Sequence, residues 1–235
     1  TEQTDFYPIF WEQSVINGAR FGMPAQQFTQ VMVYNRTWAR QLGFETPPKT
    51  PKDFKEQVCA AAQSLRFDND PQNDGTGGWV INTSPAVVLS WLYAFGSRVI
   101  HPSNSGYLFN TQPSHDALAF LKDLKDSGCA WQSNEPYAEA EFAQRRALMI
   151  TASIADLPYL ERSLQQVGSR DEWTVLAFPS PIDQPVIVVY GPSFVVFQST
   201  PERQIASWLF VRWLLSPENQ ARWIEVSSTL PTRAS

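Results

Sequence analysis

The sequence predicts an α/β fold, on three observations. Short apolar runs such as FTQVMVY (28–34), WVIN (79–82), ALMIT (147–151) and WTVLAF (173–178) read as strands. Stretches with apolar residues at helical spacing lie between them. Four helical stretches open on the same device, at Thr50-Pro51, Ser84-Pro85, Thr200-Pro201 and Ser216-Pro217. There the hydroxyl caps free amides, and proline sits at the first helical position, where its missing N–H costs nothing. Strands alternating with helices over 235 residues argue parallel or mixed pairing.

Taken in order, residues 5–13 read as a short helix or turn. Asn17-Gly18, between two short extended runs, marks a tight hairpin. After the strand at 28–34, Asn35 is placed to cap RTWARQL. Gly43 can take the left-handed position that ends this helix, with Phe44 folding back. Pro47-Pro48 hold the chain extended. Thr50, Pro51 and Asp53 restart a helix as N-cap, N1 and N3, with Phe54, Val58, Ala61 and Leu65 on one face. Residues 67–78 are expected to be loop, 79–82 strand, and Ser84-Pro85 to about Phe95 helix. A hairpin-like stretch follows at 97–110. Further helices are expected near 114–127, 138–146 and 156–167. Residues 185–198 read as a long extended run broken at Gly191-Pro192, and the last two helices end near Leu215 and Val226. Two stretches, 22–34 and 180–194, combine proline or glycine with extended runs and read as crossings between parts of the molecule.

Composition narrows the function classes. Hydrophobic residues make up 43%, so a packed core is expected. Charged residues make up only 17%, against roughly 25% in an average soluble domain. A net charge of −5 without any basic run argues against nucleic acid or an anionic membrane as partner. No apolar run approaches the ~18 residues of a membrane span, and TEQTDFYPIF is not a signal segment. The nine Trp build a large aromatic core, or some of them line a pocket where flat ring faces suit the C–H faces of a sugar. Cys59 and Cys129 allow one disulfide or two buried thiols, and neither has metal or redox spacing.

No catalytic constellation is evident. Asp68, Asp70, Asp74 and Gly75 resemble a calcium loop, but Ile81 stands where the bidentate Glu belongs. GTGG (75–78) lacks the Lys of a phosphate loop. His101 and His115 are the only histidines and belong to no catalytic pattern. Asp156 and Glu161 diverge on a helix, so they do not pair as glycosidase carboxylates. Asp156 is expected to cap its helix or to accept from a ligand hydroxyl. Binding is therefore favoured over chemistry, with no metal and no cofactor.

The stretch NGARFGMPAQQFTQVMVYNRTWARQLGFETPPKTPKDF (17–54) resembles a segment of the family 1 extracellular solute-binding proteins, the maltose-binding-protein-like sugar receptors of ABC importers. Phe21-Gly22-Met23-Pro24, Val33-Tyr34-Asn35-Arg36, Leu42-Gly43 and Pro47 to Phe54 carry the family's sequence pattern, with Pro51 where the family often has Trp. Glu141 to Met149, Tyr190-Gly191-Pro192, Ala206 to Gln220 and Leu230-Pro231 continue it, with Arg145 and Arg146 near the position of a family glycine. The resemblance spans nearly the whole chain.

It implies a type II periplasmic-binding-protein architecture of two α/β lobes, one nearly complete and one partial, cut from a longer receptor. Residues 1–30 and 184–235 would belong to the partial first lobe and its crossings, and 31–183 to the second lobe. It implies an extracytoplasmic monomer, periplasmic or lipid-anchored, that holds a small solute between lobes, closes on it and delivers it to the importer's membrane subunits. By position, the implied ligand contacts are Gln27, Phe28 and Thr29 at the first crossing, Asn82, Thr83 and Ser84 at a strand end, and Ser153 and Asp156 after ALMIT. Tyr159 would stand in for a sugar-stacking Trp, and Tyr190 and Gly191 lie at the return crossing. A sugar is the leading solute. A glycerol phosphodiester is the alternative, and a glycan-active hydrolase a more distant one.

Overall fold

The computed structural model describes residues 2–101, 103, 106–135, 137–182 and 185–235. The chain forms two compact units. One runs from Gln30 to Val188; the other joins the segment up to Thr29 with Val189–Ser235. The segment up to Thr29 holds α1 (Pro8–Trp11), β1 (Val15–Ile16), β2 (Ala19–Arg20), β3 (Met23–Pro24) and the start of β4 (Phe28–Asn35). The Gln30–Val188 unit continues β4 and adds α2 (Arg36–Gln41), α3 (Pro51–Arg66), β5 (Gly77–Val80), α4 (Pro85–Ala94) and α5 (Gln112–Asp126). It then adds β6 (Ala130–Trp131), α6 (Glu139–Ala143), β7 (Ala147–Ser153), α7 (Leu157–Gln166) and β8 (Trp173–Leu176). The return segment holds β9 (Val189–Tyr190), β10 (Ser193–Phe194), α8 (Pro201–Leu214) and α9 (Pro217–Ser227).

In the Gln30–Val188 unit the strands order as β6–β5–β7–β4–β8. β5 runs parallel to β6 and β7, while β4 is antiparallel to β7 and β8. Residues 29–35 of β4 and 147–152 of β7 are buried without alternation. That is the signature of strands covered on both faces, and it explains why they read as continuous apolar runs. The helices at Arg36, Pro51, Pro85, Pro201 and Pro217 start where the sequence says, although Ser84, unlike Thr50, Thr200 and Ser216, makes no side-chain cap bond. Asn35 accepts from the Trp38 amide at 2.8 Å, and Thr50 and Asp53 form a reciprocal capping box. Gly43, at φ +92°, ends α2, with the Phe44 amide donating to the Ala39 carbonyl.

The core of this unit is aromatic. Trp91 packs edge-on against Phe54 at 5.5 Å, Trp79 at 5.6 Å and Phe178 at 5.2 Å between ring centroids. Trp38, Trp79 and Trp91 are thus core residues. Cys59 of α3 and Cys129, just before β6, form a disulfide with Cα atoms 4.4 Å apart.

A charged node ties α2, the end of α6 and the entry to β8. The buried Asp171 carboxylate accepts from Arg145 Nε at 2.7 Å and Nη2 at 2.5 Å, and from Asn35 Nδ2 at 2.7 Å. Arg145 sits at φ +56°, the left-handed conformation that ends α6 and that a β-carbon disfavours. The bidentate pair with Asp171 offsets that strain. The Arg145 hydrogen bond, and then that from Asn35, hold the Asp171 carboxyl below its usual range against the opposing effect of burial. A depressed carboxyl contributes stability above the unfolded pKa of about 3.9 and loses it as pH falls through the folded value. Asp171→Asn is therefore expected to cost about 2 kcal/mol at pH 7 and to flatten the acid limb of a stability–pH profile. Equal acid slopes for the two proteins would contradict this role.

Several elements differ from the sequence reading. β5 begins at Gly77, inside the expected loop, and ends at Val80, because close packing against α3 decides there rather than strand propensity. α6 stops at Ala143, short of the expected 146, at the left-handed Arg145. Asp156 does not cap α7 through its side chain; it accepts from the Ser153 amide at 3.2 Å, closing the short 3-10 turn before that helix. Among the described residues of 185–198, only β9 and β10 pair as strands. Asp183 and Gln184 of the second crossing, and Pro102, Asn104 and Ser105 of the 97–110 hairpin, lie outside the described residues; on its flanks Ile100 bridges to Tyr107. The acidic loop satisfies itself: Asp68 accepts from the Asp70 amide at 2.7 Å and from Asn73 Nδ2 at 2.9 Å. Among the described residues no acidic, His or Cys group is clustered to hold a metal, and no helix is long and apolar enough to cross a membrane.

The other unit is smaller. β1 and β2 form the Asn17-Gly18 hairpin, both turn residues having positive φ. β3 pairs with β10, and the start of β4 with β9. Phe6, Val211 and Leu215 are its buried centre. Arg233 stacks over Phe6 at 4.2 Å and pairs with Asp5 at 3.1 Å. α8 is apolar around its circumference: Ile205, Trp208, Leu209, Phe210 and Trp213 are exposed while Val211 is buried.

Candidate functional site

The candidate site of the Gln30–Val188 unit lies where its parallel strands end. β5, β6 and β7 point their carboxyl ends the same way, and there the chain leaves the sheet. Open α/β sheets bind ligands at that edge, because several strand ends and helix starts deliver polar groups to one place. The cavity formed there has a volume of about 360 Å³. The exit from β5 supplies Asn82, Thr83 and Ser84, and the end of β7 supplies Thr151, Ser153 and Asp156. The stretch between β6 and α6 supplies Ser133, Glu135 and Tyr137, α6 supplies Glu139, and β4 supplies Gln30.

Short-range hydrogen bonds fix these groups. Asn82 Oδ1 accepts from the Ser84 amide at 2.9 Å, which shapes the turn into α4. Ser153 Oγ accepts from the Ala155 amide at 3.3 Å, and Asp156 returns the bond to the Ser153 amide. Ser133 donates to Glu141 at 2.6 Å and accepts from the Glu135 amide at 3.0 Å. Glu141 pairs in turn with Arg146 at 3.3 Å. One group is left over. Thr151 is 5% exposed, lines the cavity, and its hydroxyl has no partner. A buried hydroxyl without a partner costs stability, and this one faces the cavity.

The electrostatics have one sign. Glu135, Glu139 and Asp156 line the cavity, and no basic side chain does among the described residues. Burial pushes the Glu139 carboxyl above its usual range, and the Asp156 carboxylate pushes it the same way, against the opposing bonds at the start of α6.

The sequence-derived candidates fall into two groups. Asn82, Thr83, Ser84, Ser153 and Asp156, separated by up to 74 positions in the chain (156 minus 82), meet in this one cavity. Tyr159 lies beside it, in the wall of an adjoining depression that Asp156 also lines. Gln27, Phe28, Thr29, Tyr190 and Gly191 gather in the other unit. Phe28 pairs with Tyr190 in register, rings 6.0 Å apart, and Thr29 pairs with Val189. Gln27 is fully buried, and neither atom of its amide has a partner. A β-carbon on Gly191 would meet the Gln26 carbonyl at 1.9 Å, so glycine is required there by close backbone approach.

Thr151, Gln30, Ser133, Glu135, Tyr137 and Glu139 were missed by the sequence reading. Gln30 and Thr151 carry a signal: they are polar residues at the ends of otherwise apolar strands. The others come from a stretch whose position follows only from the fold.

Residues 3–235 match the family model described as bacterial extracellular solute-binding protein. A binding protein of Brucella abortus (strain 2308) is 22% identical over 232 residues, covering 96% of this chain and 54% of that protein. The chain thus spans about half the length of the curated relatives it matches. The sugar-binding protein MalE from Xanthomonas citri superposes with a TM-score of 0.81 at 20% identity, over 98% of this chain and 57% of that one. UgpB from Mycobacterium tuberculosis, solved with glycerophosphocholine, superposes with a TM-score of 0.80 at 18% identity, over 98% and 58%. At these identities the likeness is one of fold: mixed α/β, of the type II periplasmic-binding-protein kind. With the family model matching from residue 3 to the last residue, the chain belongs to the bacterial extracellular solute-binding protein family.

Proposed function

We propose that the protein is an extracytoplasmic receptor that captures a carbohydrate and hands it to the membrane subunits of an ABC importer. In this reading residues 31–183 are one lobe of the receptor, and residues 1–30 and 184–235 belong to the other. The observation that carries the solute class is the lining of the cavity: amides, hydroxyls and three carboxylates, with no basic side chain among the described residues. Carboxylates are strong acceptors for sugar hydroxyls and repel phosphate. The glycerol phosphodiester reading keeps one support, the fold shared with the glycerophosphocholine-bound protein, but an anionic phosphate in this cavity would face Glu135 and Asp156 without a counter-charge. The net charge of −5 fits a receptor with no nucleic-acid partner. The Cys59–Cys129 disulfide fits an oxidising, extracytoplasmic compartment.

Thermal unfolding of the full-length protein against mono- and oligosaccharides and glycerophosphocholine tests this reading. A solute at ~100 times its Kd adds about 2.7 kcal/mol of apparent stability. A saccharide is expected to produce the shift, and glycerophosphocholine none. A shift with the phosphodiester alone would reverse the assignment. One observation favours a hydrolase: Glu139, with its raised carboxyl, and Asp156 face the same cavity. Incubation with the bound saccharide is expected to return it intact, and release of a shorter product would make the protein an enzyme.

A further inference from the structure

The acidic residues of the candidate site form one wall. Glu135, Glu139 and Asp156, with Tyr137, line both the cavity at the strand ends and the adjoining depression of about 550 Å³. The two are thus one continuous groove, and its carboxylates stand where the two parts meet. Among the described residues no basic side chain lines either part. Nor do the three carboxylates converge as metal ligands do: among the described residues no group of acidic, His or Cys side chains is close enough to share an ion.

α6 buries two glutamates and treats them differently. Glu141, 5% exposed, pairs with Arg146 at 3.3 Å and accepts from Ser133 at 2.6 Å. Glu139, 8% exposed, lines the groove instead and has no basic partner among the described residues. Burial pushes its carboxyl above the usual range, and its charged neighbour Asp156, another carboxylate, pushes it the same way. Asp156 uses one oxygen on the Ser153 amide. A buried carboxylate beside a like charge is costly to keep ionised, and a cation placed against the pair offsets that cost. Thr151 points to a ligand independently. It is buried and lines the same cavity, and its hydroxyl has no partner.

Resting on the carbohydrate reading, we propose that the groove selects a positively charged sugar: an amino sugar, or an oligosaccharide that contains one. Its ammonium lies against Glu139 and Asp156, with the exposed Glu135 at the mouth, and a ring hydroxyl bonds to Thr151. An ammonium carries three donors and no acceptor, so it matches a wall built of acceptors. It also supplies the counter-charge that Arg146 gives to Glu141 and that nothing described gives to Glu139. A hydroxyl in its place leaves adjacent negative charges uncompensated, and a sugar phosphate adds negative charge to them.

Isothermal titration of the full-length protein at pH 7 with matched pairs tests the proposal: glucose and glucosamine, galactose and galactosamine, mannose and mannosamine, cellobiose and its diamino counterpart from chitosan. In the pair that binds, the amino sugar is expected to bind at least about tenfold more tightly than the parent. Glu139→Gln keeps the size of the side chain and removes its charge, and is expected to shrink that ratio severalfold. Glu135→Gln, at an exposed position that cannot unfold the unit, is expected to shrink it less. Glu161→Gln removes a charge from α7 that lines neither part of the groove, and should leave the ratio unchanged. Thermal unfolding without sugar verifies that each variant is folded. A parent sugar that binds as tightly as its amino counterpart, or a preference that neither Glu139→Gln nor Glu135→Gln moves, overturns the charge selection while leaving a sugar receptor in place. Failure of every saccharide to bind, neutral and amino alike, removes the carbohydrate reading itself, and this inference with it.

Discussion

Replacing Cys59 and Cys129 together with alanine should lower the stability of the Gln30–Val188 unit by about 4 kcal/mol. The bridge closes a loop of 70 residues in sequence, and cross-linking a loop of that length removes about this much conformational freedom from the unfolded chain. The native state has little to lose by comparison: Cys129 is buried in the aromatic core and Cys59 is half-buried at its edge. The bridge also fixes β6, a two-residue edge strand whose neighbouring Cys129 carbonyl accepts from the Trp79 amide at 3.0 Å. Urea unfolding of the variant and of the wild type, with and without reductant, is the check. The reduced wild type and the variant should unfold together, well below the oxidised wild type. Coincidence of all three curves would mean that the bridge does not form or does not constrain the unfolded chain.

Much of the fold is legible in the sequence because its punctuation is local. Asn35, Gly43, the Thr50–Asp53 box and the starts at Thr200-Pro201 and Ser216-Pro217 each specify a helix end through bonds that span a few residues. β4 and β7 are legible because strands buried on both faces must be apolar throughout. What is not legible depends on long-range packing. The start of β5 at Gly77 is set by how near α3 approaches. The end of α6 is set by Asp171, 26 positions after Arg145, which makes a left-handed arginine tolerable where glycine is the ordinary choice. The state of the cysteines is likewise undecidable from spacing, since 70 residues separate the two sulfurs.

The site divides along the same line. Asn82 to Ser84 and Ser153 to Asp156 follow strands, so a strand-end rule finds them. Thr151 and Gln30 read as strand residues, and only their polarity within apolar runs marks them. Glu135 and Tyr137 lie between a two-residue strand and a five-residue helix that Glu139 opens, elements too short for periodicity to orient. Tyr159 has no strand beside it and entered only through the family resemblance, while the groove it lines is a property of the assembled unit.

Gly78→Ala should destabilise the Gln30–Val188 unit by more than about 3 kcal/mol. A β-carbon at Gly78 would lie 1.9 Å from the Cys129 carbonyl oxygen and 2.8 Å from that of Val58. Both obstacles are backbone, one in the β6 entry and one in α3, so neither can rotate away. Gly77 adds a second constraint: its φ is +106°, and the Ala61 carbonyl oxygen lies 2.6 Å from where its β-carbon would be. Gly77-Gly78 is thus a packing device that lets β5 run against α3 and beside β6. Gly75 is the control. It also has positive φ, +83°, but nothing lies within 4 Å of its β-carbon position, so Gly75→Ala should cost only the backbone strain, about 1 kcal/mol. Because β5 carries the chain into Asn82, Thr83 and Ser84, displacing it also moves one wall of the groove. On the carbohydrate reading, any Gly78→Ala protein that survives should therefore bind a saccharide more weakly even after its lower stability is discounted, whereas Gly75→Ala should bind as the wild type does. Denaturant midpoints and titrations on both variants separate the two effects, and equal midpoints for the pair would show that the close approach of β5 to its neighbours is not what holds this unit together.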